Sequence, residues 1–350
     1  MTGLSVGSHT LEFRPRLKPS QLADRRVQIT ANSEAASTLL ILQAIFPFLL
    51  FAAAAAGDEP VEVGLSGGTN VSWSPSFEYL DQVLLPTLEA HFGIRVEREL
   101  RARGWSVGAP LRRGAVWLRV RPLGLGRTLQ LTEAAKRGYG AGDFEVKAVD
   151  VSVLAPMHMH EGLQRALFRD LEVLFPDVEV HVKVLEDSVK DARIYVLLVA
   201  RSETLRWGRD ILTSAPKKGK GGEKLNDNIS KKVCKALYEE VETRGVVDEF
   251  MQDQLVIFQA LAEGETSFPR NEQVDGVDGY ALSPDTVRKG VEDLTIGERR
   301  RKDKMHEPFG QGSTHTTTAR WVAAELLPKV AWYNKGAVCE GVGTRMEPST

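Results

Sequence analysis

The chain has 350 residues, 42% of them hydrophobic and 26% charged, enough apolar material for a real core in one large or two ordinary domains. A net charge of −2 excludes a protein that coats nucleic acid by bulk charge, so any RNA or DNA contact must come from local clusters. Two cysteines, Cys234 and Cys339, exclude a disulfide framework and a cysteine-based zinc site, and they point to a reducing compartment.

Residues 11–30 alternate apolar and charged side chains around Pro15 and Pro19, which reads as edge strands or loops. Residues 38–56 are nearly unbroken apolar, close to the length of a bilayer span. Gln43 and Pro47 inside the run, the alanines that end it and the lack of flanking Lys and Arg favour a buried helix over a membrane anchor. Residues 61–65 alternate like a strand, Gly67-Gly68-Thr69-Asn70 marks a turn, and Ser74-Pro75-Ser76 starts a helix. That helix carries Phe77, Leu80, Val83, Leu84, Leu88 and Phe92 on one face and stops at Gly93. Strands follow from Ile94 and over 115–120.

Further on, a strand at 143–154, a helix at 161–175 and strands at 178–185 and 194–200 lead to a basic loop at 217–222. Helices are expected at 228–243, with Ile229, Val233, Leu237 and Val241 on one stripe, and at 248–262. Between 263 and 312 apolar density falls and charge accumulates, the pattern of a mobile insertion. A helix over 320–327 and a strand over 330–338 close the chain. The sequence has neither a Walker-type phosphate loop nor a Rossmann fingerprint.

Several clusters could carry chemistry. His315, set among Ser313, Thr314, Thr316, Thr317 and Thr318 at a helix entrance, has little apolar packing to do and stands where backbone N–H groups can hold an anion. The bland reading of the same residue is a capping or surface histidine. Asp253 and Gln254 could meet a ribose or base, or Asp253 could merely complement a helix dipole. Arg95, Arg98, Arg101, Arg103, Arg112, Arg113, Arg119 and Arg121, with Trp105 among them and few acids beside them, suit RNA phosphates, although half of them would face solvent on any strand. His158 and His160 would share one side of a strand, but two histidines do not make a zinc site.

Gly67-Gly68-Thr69-Asn70 followed by Pro75, the Leu40-Ile41-Leu42-Gln43 helix, Phe250-Met251-Gln252-Asp253-Gln254-Leu255, and Ser313-Thr314-His315 occur in the order seen in one family. The chain resembles RNA 3'-terminal phosphate cyclases. The resemblance implies an α/β fold, with a large domain of repeated βαβαββ-like units over 1–154 and 248–350 and a smaller α/β domain inserted at 155–247. It implies ATP-dependent conversion of an RNA 3'-phosphate to a 2',3'-cyclic phosphate through a covalent histidine-AMP on His315. Gln43, Pro75, Phe250, Asp253 and Gln254 match the family's ATP-contacting positions, Phe250 standing where a tyrosine is common. ATP and a divalent metal, Mg or Mn, are the implied cofactors, an RNA with a 3'-phosphate the implied partner, and the nucleus the implied compartment, with the cytoplasm as the other. No membrane contact is expected.

Arg101, Arg103, Arg112 and Arg113 are candidates for RNA contact on the residues alone. Family members begin with a module carrying Glu-Gly-Gly-Gly-Gln that has no counterpart before Thr10, so the chain is expected to start inside the family's pattern. A catalytically impaired, cyclase-like RNA-binding or ribosomal-RNA-processing factor is the alternative.

Overall fold

A computed structural model describes residues 3, 5, 7–53, 59–215, 222–270 and 300–347. The basic loop at 217–221, the alanines at 54–56 and the middle of the expected insertion, 271–299, lie outside the described residues. Three sheets organise the rest. The first contains β1 (Arg26–Thr30), β2 (Val61–Gly67), β3 (Val96–Ala102) and β4 (Gly114–Val120) in the order β1-β2-β4-β3, with β1 parallel to β2 and the other pairs antiparallel. A parallel pair needs a crossover, and α1 (Thr38–Leu50) supplies it. A second helical run follows β2: α2 (Phe77–Tyr79), a π-helical turn (Leu80–Leu84) and α3 (Leu85–Phe92). Strand, helix, strand, helix, strand, strand is the βαβαββ order.

The second sheet runs β6-β5-β7-β8, built from β5 (Ala148–Ala155), β6 (Glu179–Asp187), β7 (Ile194–Arg201) and β8 (Arg206–Thr213). A short α4 (Glu133–Lys136) precedes it, α5 (His160–Leu174) crosses from β5 to the parallel β6, and α6 (Gly222–Glu242) follows β8. β5 lies ahead of the expected division at 155 yet is an inner strand of this sheet. The third group is α7 (Glu249–Leu261), β9 (Glu263–Ser267), α8 (Thr314–Leu326), β10 (Ala331–Tyr333) and β11 (Val338–Val342), its strands antiparallel in the order β10-β11-β9. It repeats the βαβαββ order short of its first strand. One apolar core joins the first two sheets, and a smaller one lies between α7, α8 and the third sheet.

Local chemistry sets the helix ends. Ser37 caps α1 by accepting from the Leu39 and Leu40 amides, Ser76 caps α2, and Gly93, at φ +68°, closes α3 in the left-handed region. The apolar run expected to be helical to residue 56 stops being so at Leu50, with Pro47 inside. Among the described residues no helix is long and apolar enough to cross a membrane.

Other expectations need correction. His158 sits in a 3-10 turn (Met157–Met159) and His160 opens α5 rather than sharing a strand, with its Nε2 2.8 Å from the Ala155 carbonyl. The single strand expected over 330–338 is the β10–β11 hairpin, turned by left-handed Asn334, Lys335 and Gly336. Residues 263–267 of the expected mobile insertion form β9, paired along β11. The strand β8, not anticipated from its charged sequence, is held by Arg209 and Asp210, whose partners are Glu240 and Tyr195.

Asp248 ties the groups together. Wholly buried, it accepts from the Tyr79 hydroxyl of α2 (2.6 Å), the Gly208 amide of β8 (2.7 Å) and the Met251 amide of α7 (2.9 Å), which it also caps. Burial pushes its carboxyl pKa upward, while Arg209 and these three donors pull it back. Asp248→Ala removes a cap and leaves a buried hydroxyl without an acceptor, so urea unfolding at neutral pH should show a loss of about 2–4 kcal/mol. Asp248→Asn, which keeps one acceptor oxygen, should lose less.

Candidate active site

Four helices meet at a cleft of about 570 Å³. Its walls include Leu39, Leu42 and Phe46 of α1, Leu80 and Leu84 of the π-helical turn, and Ile257 and Phe258 of α7. Its polar groups are Gln43, Asp253, Gln254, Thr314, His315 and Thr318, and Pro75 stands at one side. Five of the six residues singled out for ATP chemistry therefore line one cavity.

Each is positioned by an identifiable contact. Gln43 depends on the start of α1, where the Thr38 amide and hydroxyl both donate to the Gly68 carbonyl at 2.9 Å. The Gly67-Gly68 turn must come that close, because a Cβ on Gly67 would meet the Ala36 carbonyl at 2.6 Å. Glycine here serves the approach of another backbone. Pro75 follows Ser74, whose hydroxyl lies 2.5 Å from that of Ser37. Asn70 and Arg103 converge on Glu78, Asn70 Nδ2 donating at 2.9 Å and Arg103 Nη1 at 2.6 Å, which fixes the turn against α2.

Asp253 and Gln254 lie one turn beyond Phe250 on the same face of α7. Because α7 begins at Glu249 under the Asp248 cap, Asp253 is past the first turn, and the dipole reading fails for it. Gln43 Nε2 donates to Gln254 Oε1, and Gln254 Nε2 donates to Asp253 Oδ1 at 3.0 Å, so side chains from α1 and α7 form one polar chain along the floor.

His315 comes from α8, which starts at Thr314, ahead of the expected residue 320. The Ser313 hydroxyl caps this helix by accepting from the Thr316 amide at 3.2 Å. The hydroxyl-rich run hides the helix because its threonines lower helix propensity. His315 thus occupies the first turn, its imidazole 86% exposed and its Nδ1 3.9 Å from Asp253 Oδ2. Burial raises the Asp253 pKa, with Gln254 and the His315 charge opposing.

Phe250 does not line the cleft. Its ring packs edge-on to Tyr79, at 6.3 Å between centroids, and lies under the Arg209 guanidinium at 4.5 Å. Arg209 is a functional neighbour that sequence reasoning missed, since nothing in the spacing of β8 links it to α7.

The arginine cluster changes character. Few acids were expected beside it, but Arg95 pairs with Glu89, Arg98 with Asp81, Arg101 with Glu99, Arg113 with Glu34 and Arg119 with Glu97. Glu99 reaches Arg101 two residues along β3 and Glu97 reaches Arg119 across the sheet, while Asp81 and Glu89 come from the helical run before β3 and Glu34 from the turn before α1. Arg103 is nearly buried between Glu78 and Glu186 and serves the fold. Among the described residues, Arg112 and Arg121 have no carboxylate partner, and no group of three or more His, Cys, Asp or Glu could hold a metal.

Comparison with known proteins bears on the family. A family model described as RNA 3'-terminal phosphate cyclase matches residues 1–276, and His315 lies beyond that stretch. A Thermococcus sibiricus protein named RNA 3'-terminal phosphate cyclase is 31% identical over 269 residues, covering 75% of this chain and 69% of its own. Proteins of the same name from Methylococcus capsulatus and Drosophila melanogaster are 30% and 28% identical, each aligned over 68% of its length.

The Asp253 shift makes a prediction of definite sign. A carboxyl whose pKa is raised on folding favours the fold at pH values below its unfolded pKa, about 3.9, and that benefit is lost as pH rises through the folded pKa. Asp253→Asn should therefore melt higher than the wild type at pH 7, and the gap should close as pH falls toward 4. Thermal unfolding across that range measures it.

Proposed function

The chain belongs to the RNA 3'-terminal phosphate cyclase family, and from that premise we propose that it uses His315 to carry an adenylyl group from ATP to an RNA 3'-phosphate. The observation that carries the proposal is the convergence of His315, Asp253, Gln254 and Gln43 on one cleft from three helices far apart in sequence. Nδ1 is the ring nitrogen that faces Asp253, so Nε2 is left free to attack. Asp253 orients the ring and stabilises the charge that develops on it.

The imidazole nitrogen bonds to the α-phosphorus of ATP as the bond to the bridging oxygen breaks and pyrophosphate leaves. An oxygen of the RNA 3'-phosphate then takes the adenylyl group from His315, which departs as neutral imidazole. The neighbouring 2'-hydroxyl attacks the activated terminal phosphorus, gives up its proton and expels AMP, closing the 2',3'-cyclic phosphate. Activation matters because AMP is a far better leaving group than an oxide on the unmodified phosphate.

Gln43 and Gln254 offer amide donors and acceptors to the nucleotide, and Pro75 offers an apolar surface. The amides at the start of α8 stand where phosphate oxygens need donors. The α/β unit built on the second sheet supports the site through β8 and the Asp248 contact.

Incubating the protein with α-labelled ATP and magnesium should leave an acid-labile, hydroxylamine-sensitive label. His315→Ala should lower that labelling by more than about a thousandfold. Unlabelled wild-type protein that still binds ATP and RNA would make the chain a binding factor instead.

A further inference from the structure

Trp73 is the most exposed large apolar side chain among the described residues, its relative accessibility 101%, and its backbone is held at φ +63°. Both features go against the interest of an isolated fold. An indole in full contact with water forgoes its burial energy, and a left-handed, non-glycine backbone adds strain that the surrounding loop must overcome. The loop is nevertheless well tied. Thr69 and Asn70 both donate from their amides to the Gly104 carbonyl, the Ser106 amide donates to the Asn70 carbonyl, and the Ser72 amide reaches the Ser106 hydroxyl at 3.4 Å. On its other side Ser74 meets Ser37 at the start of α1, and Pro75 enters the wall of the cleft. Trp73 is thus two residues, or about 7 Å of extended chain, from the site.

The segment zipped to this loop continues from Ser106 to Arg112 and Arg113. Lys190 and Arg193 pin it from the second sheet, donating to the carbonyls of Gly108 and, for Arg193, Val107 and Pro110. Arg112 is exposed and, among the described residues, has no carboxylate partner, and its charge lies close enough to that of Arg193 to lower the latter's pKa, an effect second to desolvation. Arg101, by contrast, is engaged by Glu99 and by the Trp117 ring, and Arg103 by two glutamates. The exposed indole and the unpaired guanidinium therefore sit on two loops that hold each other, one of them leading directly into the cleft.

We propose that Trp73 and Arg112 form the approach for single-stranded RNA, the indole stacking on a base near the 3' end and the guanidinium meeting a backbone phosphate. This rests on the cyclase reading for its substrate and adds the residues that hold it. Stacking on an aromatic face tolerates any base, since every base has a π-face, and an arginine on the adjoining loop supplies charge without sequence preference. The arrangement selects an unpaired end over a duplex, whose bases are already stacked on one another.

The test uses the full chain and a fluorescein-labelled, single-stranded oligoribonucleotide ending in a 3'-phosphate, followed by anisotropy. Trp73→Ala should weaken binding about tenfold or more, and Trp73→Phe, which keeps a ring face, should recover most of the loss. Arg112→Ala should weaken binding and lower the slope of log affinity against log salt by about 0.7, one phosphate's worth on a single strand. Unchanged affinity in Trp73→Ala, an equal loss in Trp73→Phe, or no binding by the wild type overturns the proposal. Labelling of the wild type with α-labelled ATP separates the two ideas. Label on His315 with RNA binding indifferent to Trp73 removes the RNA approach alone, whereas Trp73-dependent binding without label leaves the approach standing and removes the covalent step.

Discussion

The site depends first on how α7 is held. Asp248 gathers a hydroxyl from α2, an amide from β8 and the free amide of Met251 at the start of α7 itself, so one carboxylate fixes the position of that helix against two sheets. A helix fixed at its first residue has no remaining freedom in which face it shows, and Phe250, Asp253 and Gln254 follow from the 3.6-residue repeat. Around this carboxylate the charges are paired in a chain: Arg209 with Glu240 and Glu249, and Arg270 with Glu240. Removing Glu240 would take from Arg270 the carboxylate it pairs with and leave Arg209 only Glu249, which is costlier than the net worth of either pair. The network therefore holds α6, α7 and β8 in one arrangement more than it adds to stability.

Polar groups in this protein divide by what they touch. Glu240, Asp248 and Arg103 are buried and fully engaged with other protein groups. His315 is open to solvent, and Asp253, partly exposed, has among the described residues the Gln254 amide as its only side-chain hydrogen-bond donor and the imidazole at 3.9 Å. Asp210 shows the contrast: burial lifts its pKa to about 6, but it accepts from the Tyr195 hydroxyl on the neighbouring strand and does not line the cleft. A raised pKa alone does not tell the two carboxylates apart; of the two, Asp253 is the one that lines the cleft.

Much of this was legible in the sequence where burial is simple. β5 and β7 are buried on both faces and read as apolar runs, while α5 and α7 keep a clear helical stripe. The Gly67-Gly68 turn, Asp253 and His315 stand out by residue type, and Gln43 only through the family resemblance. What could not be read was partnership. β8 carries Arg206, Arg209 and Asp210, so its hydrophobic alternation is broken, and only the tertiary partners Glu240 and Tyr195 make such a strand possible. The same holds for the arginines of β3 and β4, whose acids are neighbours across the sheet or from distant loops. The spacing of a single strand carries no information about a cross-strand ion pair.

His315 poses the hardest positional problem, since its helix begins in a run of threonines with weak helix propensity. The solution lies behind it. Arg320, on the same helix and almost buried, reaches back so that its Nη1 donates to the Gln311 carbonyl, and its guanidinium rests 5.6 Å from the Trp332 ring. Burial draws its pKa down to about 10, so it remains a cation at neutral pH and keeps its donors. Two glycines make room for it: a Cβ on Gly310 would come within 2.9 Å of Nη1, and one on Gly336 within 2.6 Å of Cζ. Gly310 and Gly312 both take left-handed φ values just ahead of the Ser313 cap, which turns the chain sharply enough to present His315 to the cleft. A nearly buried arginine in a threonine-rich helix is thus what holds the approach to α8 in place, and the imidazole owes its position to a contact on the opposite side of its own helix.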